Sequence, residues 1–466
     1  MSGVLGQAKR IHFIGVGGIG MSGIAELLVN LGYQVSGSDL HLTDITARLE
    51  SLGAHITEGH DASHVGDAEV VVYSSAVRSS NPEIVAARAR GLAVVPRAEV
   101  LAELMRLRQG IAVAGAHGKT TTTSMIALVL DVAGLDPTAI IGGRVSSFGS
   151  NAKLGRGKYL VAEADESDRS FLQLSPRFVV ITNIDREHLE AYRDFDDLKA
   201  SFVQFANGVP SNGAVILCSD DPHLREIRGA IKRHVVSYGL DDAADVTAAD
   251  VQLKGFQSQC TVRARRPGGR AVELGTLQLS VPGRHNCLNA LAAVAMAREL
   301  GIAWSDIARA LAGFHGAERR FQRRGEANGV LVVEDYGHHP TEAAAEIAAA
   351  KQIATGRLIV AFQPHRFTRT QFLMHEFGRA FVGADVLMMT DIYPAGEDPI
   401  PGITLDALAS AVQSDFKGEL SLVPALHELP AMLAATARPG DLVVLLGAGS
   451  IGSIADSVVH ALQEGR

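Results

Sequence analysis

The segment from residue 111 to residue 124, IAVAGAHGKTTTTS, restricts the possible folds of this chain more than any other. A short apolar run leads into a glycine-containing turn, which is followed by Lys119 and four consecutive threonines. Backbone N–H groups in such a turn bind phosphates, the lysine reaches the terminal phosphates, and a hydroxyl of Thr120 or Thr121 can hold Mg²⁺. The segment therefore predicts a strand, a phosphate-binding turn and a helix, and it indicates a site for ATP.

The match to the eight-residue nucleotide-loop pattern is imperfect at its first position. The pattern requires glycine where the chain has Val113, and a glycine occurs instead at Gly115. The alternative interpretation is an ordinary turn between a strand and a helix, because isolated matches to this pattern arise by chance. If the loop binds ATP, Gly115, His117 and Gly118 are the candidates that line it beside the lysine.

Length and composition restrict the class of protein. At 466 residues the chain is long enough for about three domains. Hydrophobic residues make up 47% and charged residues 20%, and no apolar run approaches the roughly 18 residues of a membrane span. The start, MSGVLGQAKR, lacks the apolar core of a secretory signal, and Cys218, Cys260 and Cys287 show neither paired nor metal-type spacing. We therefore expect a soluble, cytoplasmic protein without a membrane span.

The charge balance argues against nucleic acid as a partner. The net charge is −8, from 43 Lys and Arg against 51 Asp and Glu, so no general field attracts nucleic acid or an anionic membrane. A polyphosphate ligand must then be held by local sites, such as glycine-rich turns and helix N-termini. We expect small-molecule partners and a monomer or weak homodimer.

The order of apolar runs and helical stretches predicts an α/β fold. Short β-branched runs alternate with Ala- and Leu-rich stretches through residues 11–130, as in parallel sheets with crossover helices. The strands expected in the first half of the chain are 11–15, 69–73, 111–114, 158–163, 178–182 and 213–218. Between about 250 and 281, short strands follow one another without helices, which predicts a small antiparallel appendage.

The changes of pattern predict three domains. A third block of alternating strands and helices begins near residue 330. The boundaries are therefore placed near residues 106 and 316. They give a Rossmann-like N-terminal domain of residues 1–106, a central ATP-binding domain of residues 107–315 that carries the appendage, and a Rossmann-like C-terminal domain of residues 316–466.

A second glycine-rich turn follows the first predicted strand. Gly15, Gly17 and Gly20 form the dinucleotide-binding pattern, and Asp39 lies 19 residues beyond the last of them. This pattern supplies a tight turn, room for a pyrophosphate at a helix N-terminus and an acid for ribose hydroxyls. It indicates a nucleotide diphosphate, and a purely structural tight turn is the alternative.

The same pattern occurs again near the end of the chain, at Gly447, Gly449 and Gly452. No acidic residue follows at the required distance, because the sequence ends at Arg466. A helix that packs closely against its strand needs glycine there in any case. We therefore interpret this second pattern as structural.

Acidic and polar residues follow two strands of the central block. The string EADESD, residues 163–168, follows one strand, and the string TNIDREH, residues 182–188, follows the next. Ligands collect at the carboxyl ends of parallel strands, and Mg²⁺ takes one or two carboxylates together with phosphates and water. Glu163 is the favoured metal ligand and His188 a candidate for a second ion. The alternatives are a solvated acidic turn and a structural histidine.

Further polar clusters lie downstream. The first offers two asparagines at a helix start, the second places arginines near the boundary at 316, and two others follow neighbouring strands of the third block. Arginine forks bind carboxylates and phosphates, although surface arginines in loops are the alternative. The residues in these clusters are Asn286, Asn289, Arg320, Asp335, His338, His339, Arg366 and Arg369.

Taken in order along the chain, these motifs resemble one family. The strings are GVGGIGMSGIA, SGSD, AHGKTTTT, EADESD, NIDREH, GRHNCLNA, ERRF, DYGHHPTE and QPHRFTRT. They are similar to the Mur ligases, and GVGGIGMSG and DYGHHPTE resemble the alanine-adding branch most closely. The resemblance spans almost the whole chain. One departure is Ala116, where this branch commonly has threonine, and little effect is expected because the turn supplies backbone groups there.

The resemblance implies an activity. It implies that ATP activates the carboxylate of UDP-N-acetylmuramate as an acyl phosphate, which L-alanine then attacks, giving ADP and phosphate in the synthesis of a peptidoglycan precursor. It also implies a divalent cation, Mg²⁺ or Mn²⁺, and a C-terminal domain that closes over ATP and the amino acid.

The resemblance also implies roles for individual residues. ATP would be bound by Gly115, His117, Gly118, Lys119, Thr120, Thr121, Asn286, Asn289, Arg320, Asp335 and His338. The UDP-sugar would be bound by Gly15, Gly17, Gly18, Gly20, Asp39, Ser74 and Ser75. The metal would be held by Thr120, Thr121, Glu163 and His188, and the acceptor substrates by His339, Arg366 and Arg369. The residues implied in catalysis are Lys119, His188 and Arg366.

Two other classes of protein compete with this interpretation. A nicotinamide-dependent oxidoreductase would explain the two glycine patterns, but it leaves Lys119 and the acidic cluster without a role. A nucleotide-sensing protein without turnover would use ATP only as a ligand. Loss of turnover in a Lys119 variant would separate an enzyme from such a sensor.

Overall fold

The computed structural model describes residues 3, 5–6, 8–74, 76–145, 150–265 and 269–464. Three sheets of five, ten and six strands organise the chain, and helices connect most of their parallel strands. This arrangement confirms the predicted α/β class with three domains. Among the described residues, none of the helices combines the length and apolar character that a membrane crossing requires.

The N-terminal domain is a parallel sheet of five strands in the order β3-β2-β1-β4-β5. Its strands are β1 (Arg10–Ile14), β2 (Gln34–Asp39), β3 (His55–Glu58), β4 (Val70–Tyr73) and β5 (Ala93–Pro96). Its helices are α1 (Ile19–Asn30), α2 (Asp44–Ser51), α3 (Pro82–Ala89) and α4 (Arg97–Arg106). The sheet order changes direction between β1 and β4, and ligands of open α/β sheets bind at such a switch point.

The central domain is built on a ten-stranded sheet. Its first strands and helices are β6 (Gln109–Ala114), α5 (Lys119–Val132), β7 (Thr138–Val145), β8 (Ser150–Lys153), β9 (Tyr159–Glu163), β10 (Phe178–Ile181), α6 (Phe195–Asn207), β11 (Ala214–Cys218), α7 (Pro222–Ile227) and β12 (Val235–Gly239). Strand β6 pairs in parallel with β9 on one side and with β10 on the other. The polar residues after β9 and β10 therefore meet the loop after β6 at one edge of the sheet.

The segment predicted as a small antiparallel appendage forms one end of the central sheet. It forms three strands of nine residues, followed by two helices: β13 (Val246–Lys254), β14 (Gln257–Arg265), β15 (Ala271–Leu279), α8 (Arg284–Glu299) and α9 (Trp304–Ala312). Strand β13 joins the sheet by pairing in parallel with β12. Strands β13 and β14 are separated by two residues only, so they run antiparallel. Burial alternates along β14, as expected for a strand covered on one face.

The C-terminal domain is a six-stranded sheet in the order β16-β17-β21-β18-β19-β20, with only β16 antiparallel. Its strands are β16 (Gln322–Ala327), β17 (Val330–Asp335), β18 (Leu358–Phe362), β19 (Val386–Met389), β20 (Glu419–Leu422) and β21 (Leu442–Leu446). Its helices are α10 (Pro340–Ile353), α11 (Phe367–Phe372), α12 (Glu376–Ala380), α13 (Leu405–Asp415), α14 (Leu429–Thr436) and α15 (Ala455–Glu464).

The central strands of this sheet are covered on both faces. In β18, Val360 and Phe362 belong to one core cluster, whereas Ile359 and Ala361 belong to the cluster on the opposite face. Successive side chains of a strand point to opposite faces, so a strand buried on both sides needs a continuous apolar run. The sequence LIVAF meets that requirement.

The chain divides into two compact units. The first contains residues Met1–Ala249, Thr261–Thr276 and Leu288–Ala312, and the second contains Asp250–Cys260, Leu277–Cys287 and Gly313–Arg466. The predicted domain boundaries near 106 and 316 stay predictions. Both fall between secondary-structure elements, since α4 ends at Arg106 and α9 ends at Ala312.

Candidate active site

The loop that connects β6 to α5 in the first unit contains two glycines with positive φ. Gly115 has φ +128° and Gly118, the N-cap of α5, has φ +79°. A Cβ atom at Gly115 would lie 2.2 Å from the hydroxyl of Thr182, so only glycine fits there. The glycine required in this loop thus lies two residues after the position at which the nucleotide-loop pattern places it.

Residues that follow β10 hold this loop in place. The Thr182 hydroxyl donates to the carbonyl of His117 at 2.6 Å, and Asn183 Oδ1 accepts from the His117 N–H at 2.8 Å. The His117 ring nitrogen Nε2 lies 2.8 Å from a carboxylate oxygen of Asp185. These three residues belong to the string TNID, which the sequence analysis placed at this edge without assigning it to the loop. Their contacts fix the loop backbone before any ligand binds.

The ammonium group of Lys119 has three hydrogen-bond acceptors. It donates to the carbonyl oxygens of Gly115 at 2.6 Å and Ala116 at 3.1 Å, and to Glu166 Oε1 at 2.8 Å. Burial alone would lower the pKa of Lys119, but the carboxylates of Glu166 and Asp165 outweigh burial and raise the pKa above its ordinary value. Lys119 is therefore a permanently charged cation at the loop.

Glu166 is a site residue that the sequence analysis did not select. Its side chain is 4% exposed, and its second carboxylate oxygen, Oε2, is buried without a hydrogen-bond partner among the described residues. Burial raises the pKa of Glu166, and Lys119 opposes that rise. A buried acceptor without a partner is costly, so this oxygen is suited to an incoming cation. The sequence indicates Glu166 only through its position in the string EADESD, which contains the favoured ligand Glu163 as well.

Glu163 and Thr120 approach the same glycine pair of β7. Glu163 Oε1 accepts from the N–H of Gly142 at 2.5 Å, and a Cβ at Gly142 would lie 2.6 Å from that carboxylate. A Cβ at Gly143 would lie 3.1 Å from the methyl group of Thr120. The side chains of Glu163 and Thr120 thus lie beside neighbouring glycines of one strand. A carboxylate and a hydroxyl are the types of oxygen donor that Mg²⁺ prefers, so these residue types fit a divalent cation.

His188 is the residue before a short 3₁₀ turn and has left-handed backbone angles, φ +55° and ψ +30°. Its ring nitrogens lie 3.6 Å from Glu187 Oε1 and 3.8 Å from Glu190 Oε1. A left-handed non-glycine residue costs roughly 1–2 kcal/mol, and such strain concentrates at functional sites. His188 also influences the pKa of Glu166 electrostatically, so both face the same charged region.

The glycine turn of the N-terminal domain is tied to the end of β2. The N–H groups of Gly15 and Val16 donate to the carbonyl of Ser38, and the Gly17 N–H donates to Asp39 Oδ2 at 2.8 Å. Gly18 is the N-cap of α1. Asp39 therefore braces the turn itself, and its contact with a ribose stays a prediction.

Two more residues assigned to the UDP-sugar follow β4. The Ser74 hydroxyl accepts from the N–H of Ala76 at 3.4 Å and so closes a turn. Ser75 lies outside the described residues. The predicted contacts of both serines with the sugar nucleotide stay predictions.

Helix α8 carries the two predicted asparagines in different surroundings. Asn289 Oδ1 accepts from the Thr122 hydroxyl at 3.2 Å, and a Cβ at Gly118 would lie 2.6 Å from the same oxygen. The structure thus brings Asn289 to the loop between β6 and α5. Asn286 instead donates to the carbonyl of Pro282 at 2.7 Å, at the start of its own helix.

In the second unit, Asp335 ends β17 in a buried position. Its carboxylate accepts from the N–H of Phe321 at 2.7 Å and from the N–H of Gly337 at 2.6 Å, and only 1% of the residue is exposed. The Arg320 guanidinium lies 3.7 Å from Glu342, and His285 lies 3.4 Å from Glu346. The second unit therefore contains a compact cluster of three acids, one arginine and one histidine.

Two carboxyl groups of this cluster bind protons unusually tightly. Burial raises the pKa of Asp335 to about 8, with a further contribution from Glu346 and an opposing one from Arg320. Burial also raises the pKa of Glu346 to about 8, against the effect of Arg320. Near neutral pH the cluster therefore holds protons that an exposed acid would have lost.

We expect the stability of the protein to fall as pH rises from about 4 to about 8, partly because of this cluster. Unfolding returns each carboxyl group to a pKa near 4, so the stability it contributes is complete below that value and is lost as pH rises through about 8. In Glu346→Gln, no proton is lost at this position. The variant should melt several degrees above the unmodified protein at pH 9 and close to it at pH 5.

The matched control is Glu376→Gln, which removes an exposed acid of the same domain. Thermal unfolding at the two pH values gives the comparison. The raised pKa would be contradicted if the difference in melting temperature between E346Q and the unmodified protein were the same at pH 5 and at pH 9.

His338 and His339 follow β17 and lead into α10. His339 is 2% exposed and is the N-cap of α10, where its Nδ1 accepts from the N–H of Thr341 at 3.2 Å. The His338 N–H donates to Glu342 Oε2 at 3.0 Å. His339 thus has a structural task at the helix start, and its predicted contact with an acceptor substrate stays a prediction.

Arg366 and Arg369 follow β18. Arg366 has φ +71°, and its Nε donates to Glu397 Oε1 at 2.5 Å. Arg369 donates to the carbonyl of His365 at 3.2 Å. The His365 ring lies 5.5 Å from that of His338, so the structure brings the two predicted polar clusters of the third domain together. Glu397, the partner of Arg366, was not foreseen from the sequence.

Side chains fill the space beside the second glycine pattern, residues 447–452. The Arg319 guanidinium donates to the carbonyls of Gly447 and Gly449, and Gln363 Oε1 accepts from the Ile451 N–H at 2.9 Å. A Cβ at Gly452 would lie 2.2 Å from Glu334. These close approaches agree with the structural interpretation of this pattern.

Fold and site together define a three-domain α/β protein whose central domain has a glycine-bounded loop and a charged lysine at the start of a helix. Three domain profiles of one family cover this architecture: "Mur ligase family, catalytic domain" matches residues 10–109, "Mur ligase middle domain" residues 113–297 and "Mur ligase, glutamate ligase domain" residues 319–449. The chain belongs to the Mur ligase family.

Relatives of known name extend over nearly the full length. The UDP-N-acetylmuramate--L-alanine ligase of Syntrophus aciditrophicus is 51% identical over 458 residues, covering 98% of this chain and 94% of the relative. The protein of the same name from Myxococcus xanthus is 50% identical over 457 residues, covering 98% and 96%.

A solved structure gives the same result. The crystal structure of the UDP-N-acetylmuramate-alanine ligase of Thermotoga maritima is similar with a TM-score of 0.82 and 30% identity, covering 98% of this chain and all of that chain. A murein peptide ligase of Psychrobacter arcticus has a TM-score of 0.72 at 24% identity, with 98% and 99% coverage, and indicates the fold alone.

Proposed function

We propose that this protein joins L-alanine to the carboxylate of UDP-N-acetylmuramate, with ATP converted to ADP and phosphate. The observation that carries the proposal is the loop after β6, in which a partly buried, permanently charged Lys119 contacts Glu166 beside a glycine-bounded helix start. Relatives with half of their residues identical over 98% of this chain bear the name of this activity. The product belongs to peptidoglycan precursor synthesis, and the cytoplasm is the compartment we propose.

The chemistry requires activation of an acid. A carboxylate is a poor acylating agent, so a carboxylate oxygen of the sugar attacks the γ-phosphorus of ATP, and ADP leaves. The α-amine of alanine then attacks the acyl phosphate, and the tetrahedral intermediate collapses to an amide and phosphate. Positioning and charge stabilisation are the main tasks of a protein in such a transfer, and no covalent protein nucleophile is needed.

Lys119 is the residue to which we assign stabilisation of the transferred phosphoryl group. Its bonds to the carbonyls of Gly115 and Ala116 can be exchanged for phosphate oxygens, whereas the bond to Glu166 keeps the ammonium group in place. The remaining ATP contacts that we propose are Gly118, His117, Thr120, Thr121, Asn286, Asn289, Arg320, Asp335 and His338.

The acceptor side of the reaction is assigned to the C-terminal domain. We assign Arg366 and Arg369 to the carboxylate of alanine or to the acyl phosphate, and His339 to the same region. Arg366 has a positive φ, and Glu397 accepts from its Nε and so fixes the direction of the guanidinium. Closure of this domain over ATP and the amino acid would complete the site.

The UDP moiety is assigned to the N-terminal domain. The turn of Gly15, Gly17, Gly18 and Gly20 offers N–H groups at the start of α1, and UDP has the pyrophosphate and ribose of half a dinucleotide. Asp39, Ser74 and Ser75 complete this proposed site. No redox chemistry is needed to explain the glycine pattern.

A divalent cation, Mg²⁺ or Mn²⁺, fits the donors in the central domain. We assign Glu163, Thr120, Thr121 and His188 to its coordination. Glu163 and Thr120 lie beside the glycine pair of β7, and His188 acts electrostatically on Glu166. Such a cation supplies neutralisation of the phosphate oxygens when bound. The chain itself orients the carboxylate through the Gly142 N–H.

We expect Glu163→Gln to raise the Mg²⁺ concentration needed for half-maximal phosphate release by about 10–100-fold. Glutamine keeps an oxygen for the Gly142 N–H but lacks the negative charge that a cation needs. The control is Asp168→Asn, which removes an exposed acid of the same string and should leave the Mg²⁺ dependence within about twofold. Equal Mg²⁺ dependence in E163Q and the unmodified enzyme would remove Glu163 from the metal site.

The proposed function is tested by release of inorganic phosphate from the purified protein. We expect release only when ATP, UDP-N-acetylmuramate and L-alanine are all present, with glycine and L-serine supplied separately to measure the preference for alanine. Phosphate release that ignores the sugar nucleotide would contradict the proposal. A change in NADH absorbance with a hydroxy or keto substrate would favour an oxidoreductase instead.

A further inference from the structure

Arg97 lies between the two nucleotide sites of the first unit. It is the first residue of α4 and follows β5 directly. Its Nη2 donates to Asp165 Oδ2 at 3.3 Å, and its side chain is 21% exposed. Asp165 belongs to the acidic string next to Lys119. Through this contact Arg97 is linked to the proposed ATP loop.

The Arg97 guanidinium also lies beside the glycine turn of the N-terminal domain. A Cβ atom at Gly20 would lie 2.6 Å from Nη1 of Arg97 and 3.1 Å from its Cζ. Gly20 is in the first turn of α1, which begins at Ile19. The guanidinium therefore covers the helix start at which a pyrophosphate binds in Rossmann-like domains, and glycine at position 20 is what admits it.

The turn needs a cation from elsewhere in the chain. Residues 15–20, GVGGIG, include no basic side chain, and the nearby acid Asp39 already accepts from the Gly17 N–H. A pyrophosphate brings at least two negative charges to this place. Arginine suits it, since its planar fork of donors matches phosphate oxygens.

Asp165 does not depend on Arg97 alone. It accepts from the Ser167 N–H at 3.1 Å, and Lys119 as well as Arg97 acts on its charge. If the guanidinium turns away, Asp165 retains a backbone donor and a neighbouring cation. The ion pair is partly exposed, with 39% of the Asp165 side chain accessible, so breaking it costs little.

We propose that Arg97 binds the pyrophosphate of the UDP-sugar and releases Asp165 when it does so. This inference rests on the proposed function for the existence of the UDP-sugar site, and it adds the cation of that site and its link to the ATP loop. Once released, Asp165 interacts with Lys119 without competition from Arg97. Arrival of the sugar nucleotide is thereby communicated to the residue that handles the γ-phosphate.

The test compares UDP with uridine, because only UDP carries the phosphates. Calorimetric titration without ATP is made on the full-length protein, on Arg97→Gln and on Arg106→Gln, an exposed arginine at the other end of α4. We expect R97Q to weaken UDP binding by about 10–100-fold, the range for hydrogen bonds to charged groups. Uridine binding should change less than about twofold in both variants.

Two further variants separate the role in binding from a role in folding. Arg97→Lys keeps the charge but not the planar fork, so we expect UDP affinity between those of R97Q and the unmodified protein. Asp165→Asn frees the guanidinium from its partner, and UDP should then bind as tightly as before or tighter. Thermal unfolding of each variant shows whether the fold is retained.

The outcomes are distinct. UDP affinity that is unchanged in R97Q overturns the inference, and so does an equal loss of UDP and uridine affinity, which would mean a merely structural role. Weaker UDP binding by D165N would overturn the exchange of partners. An unmodified protein that binds neither UDP nor UDP-N-acetylmuramate would contradict the proposed function as well.

Discussion

Replacement of Lys119 by methionine is expected to lower kcat for phosphate release by about 10³–10⁴-fold. Methionine has a similar length but no charge, so the phosphoryl group would lose the cation that the loop holds in a water-poor position. We expect a large effect on kcat, because three acceptors hold the Lys119 ammonium group in place and its pKa is above the ordinary value. Steady-state phosphate release at saturating substrates gives the measurement.

A loss of folding could imitate this loss of turnover, because K119M leaves the buried Glu166 carboxylate without its cation. The double variant K119M with Glu166→Gln removes that unpaired charge. We expect the double variant to recover thermal stability and to remain inactive. Lys199→Met, at an ion pair on helix α6, is the control and should keep near-normal turnover. An active K119M enzyme would contradict the role of Lys119.

Replacement of Gly115 by alanine is expected to destabilise the protein by about 2–5 kcal/mol and to abolish detectable ATP binding. Positive φ disfavours any side chain here by roughly 1–2 kcal/mol, and overpacking adds about 1–3 kcal/mol. The new Cβ would collide with Thr182 and with the backbone of Asn183, the residues that hold the loop. Chemical denaturation and ATP titration give the two measurements.

The control for Gly115 is Gly134, which follows α5. Gly134 has φ +73°, and nothing lies within 4 Å of a Cβ built there. Gly134→Ala therefore measures the cost of the backbone conformation alone, about 1 kcal/mol, and should leave ATP binding intact. If G115A and G134A had equal effects on stability and ATP affinity, the collision with Thr182 would play no part.

The loop and the glycine turn could be predicted from the sequence because each depends on neighbouring residues. A strand, a glycine that tolerates positive φ and a helix start follow one another within a dozen positions. The strand, turn and helix around Lys119 and the α/β class could be predicted without knowledge of distant contacts. Local turn chemistry and the alternation of apolar runs carried that information.

The partners of these residues could not be predicted, because sheet order decides them. Thr182 and Asn183 reach the loop only because β10 lies beside β6, although these strands are far apart in the chain. The sequence around Glu166 and Glu163 does not show which of them lies beside Lys119. Burial and the bond to Lys119 distinguish Glu166, and both depend on the fold. Arg97 carried no signal at all, because its contacts join two domains.

The segment between 250 and 281 shows the same limit in the fold. Its alternating pattern predicted strands correctly, but it gave no sign that β13 pairs with β12 and lengthens the central sheet. Strand pairing depends on residues that are distant in the chain. An antiparallel segment with one face in solvent has the same alternating sequence pattern whether it stands alone or extends a sheet.

The most direct test of the account follows the oxygen of the sugar carboxylate. UDP-N-acetylmuramate labelled with ¹⁸O in its carboxyl group is incubated with ATP, L-alanine and the enzyme, and the inorganic phosphate is analysed by mass spectrometry. If the carboxylate attacks the γ-phosphorus of ATP bound at Lys119, one labelled oxygen appears in each phosphate released from fully labelled substrate. Phosphate that carries no label while amide product accumulates would contradict an acyl phosphate and the role assigned to this loop.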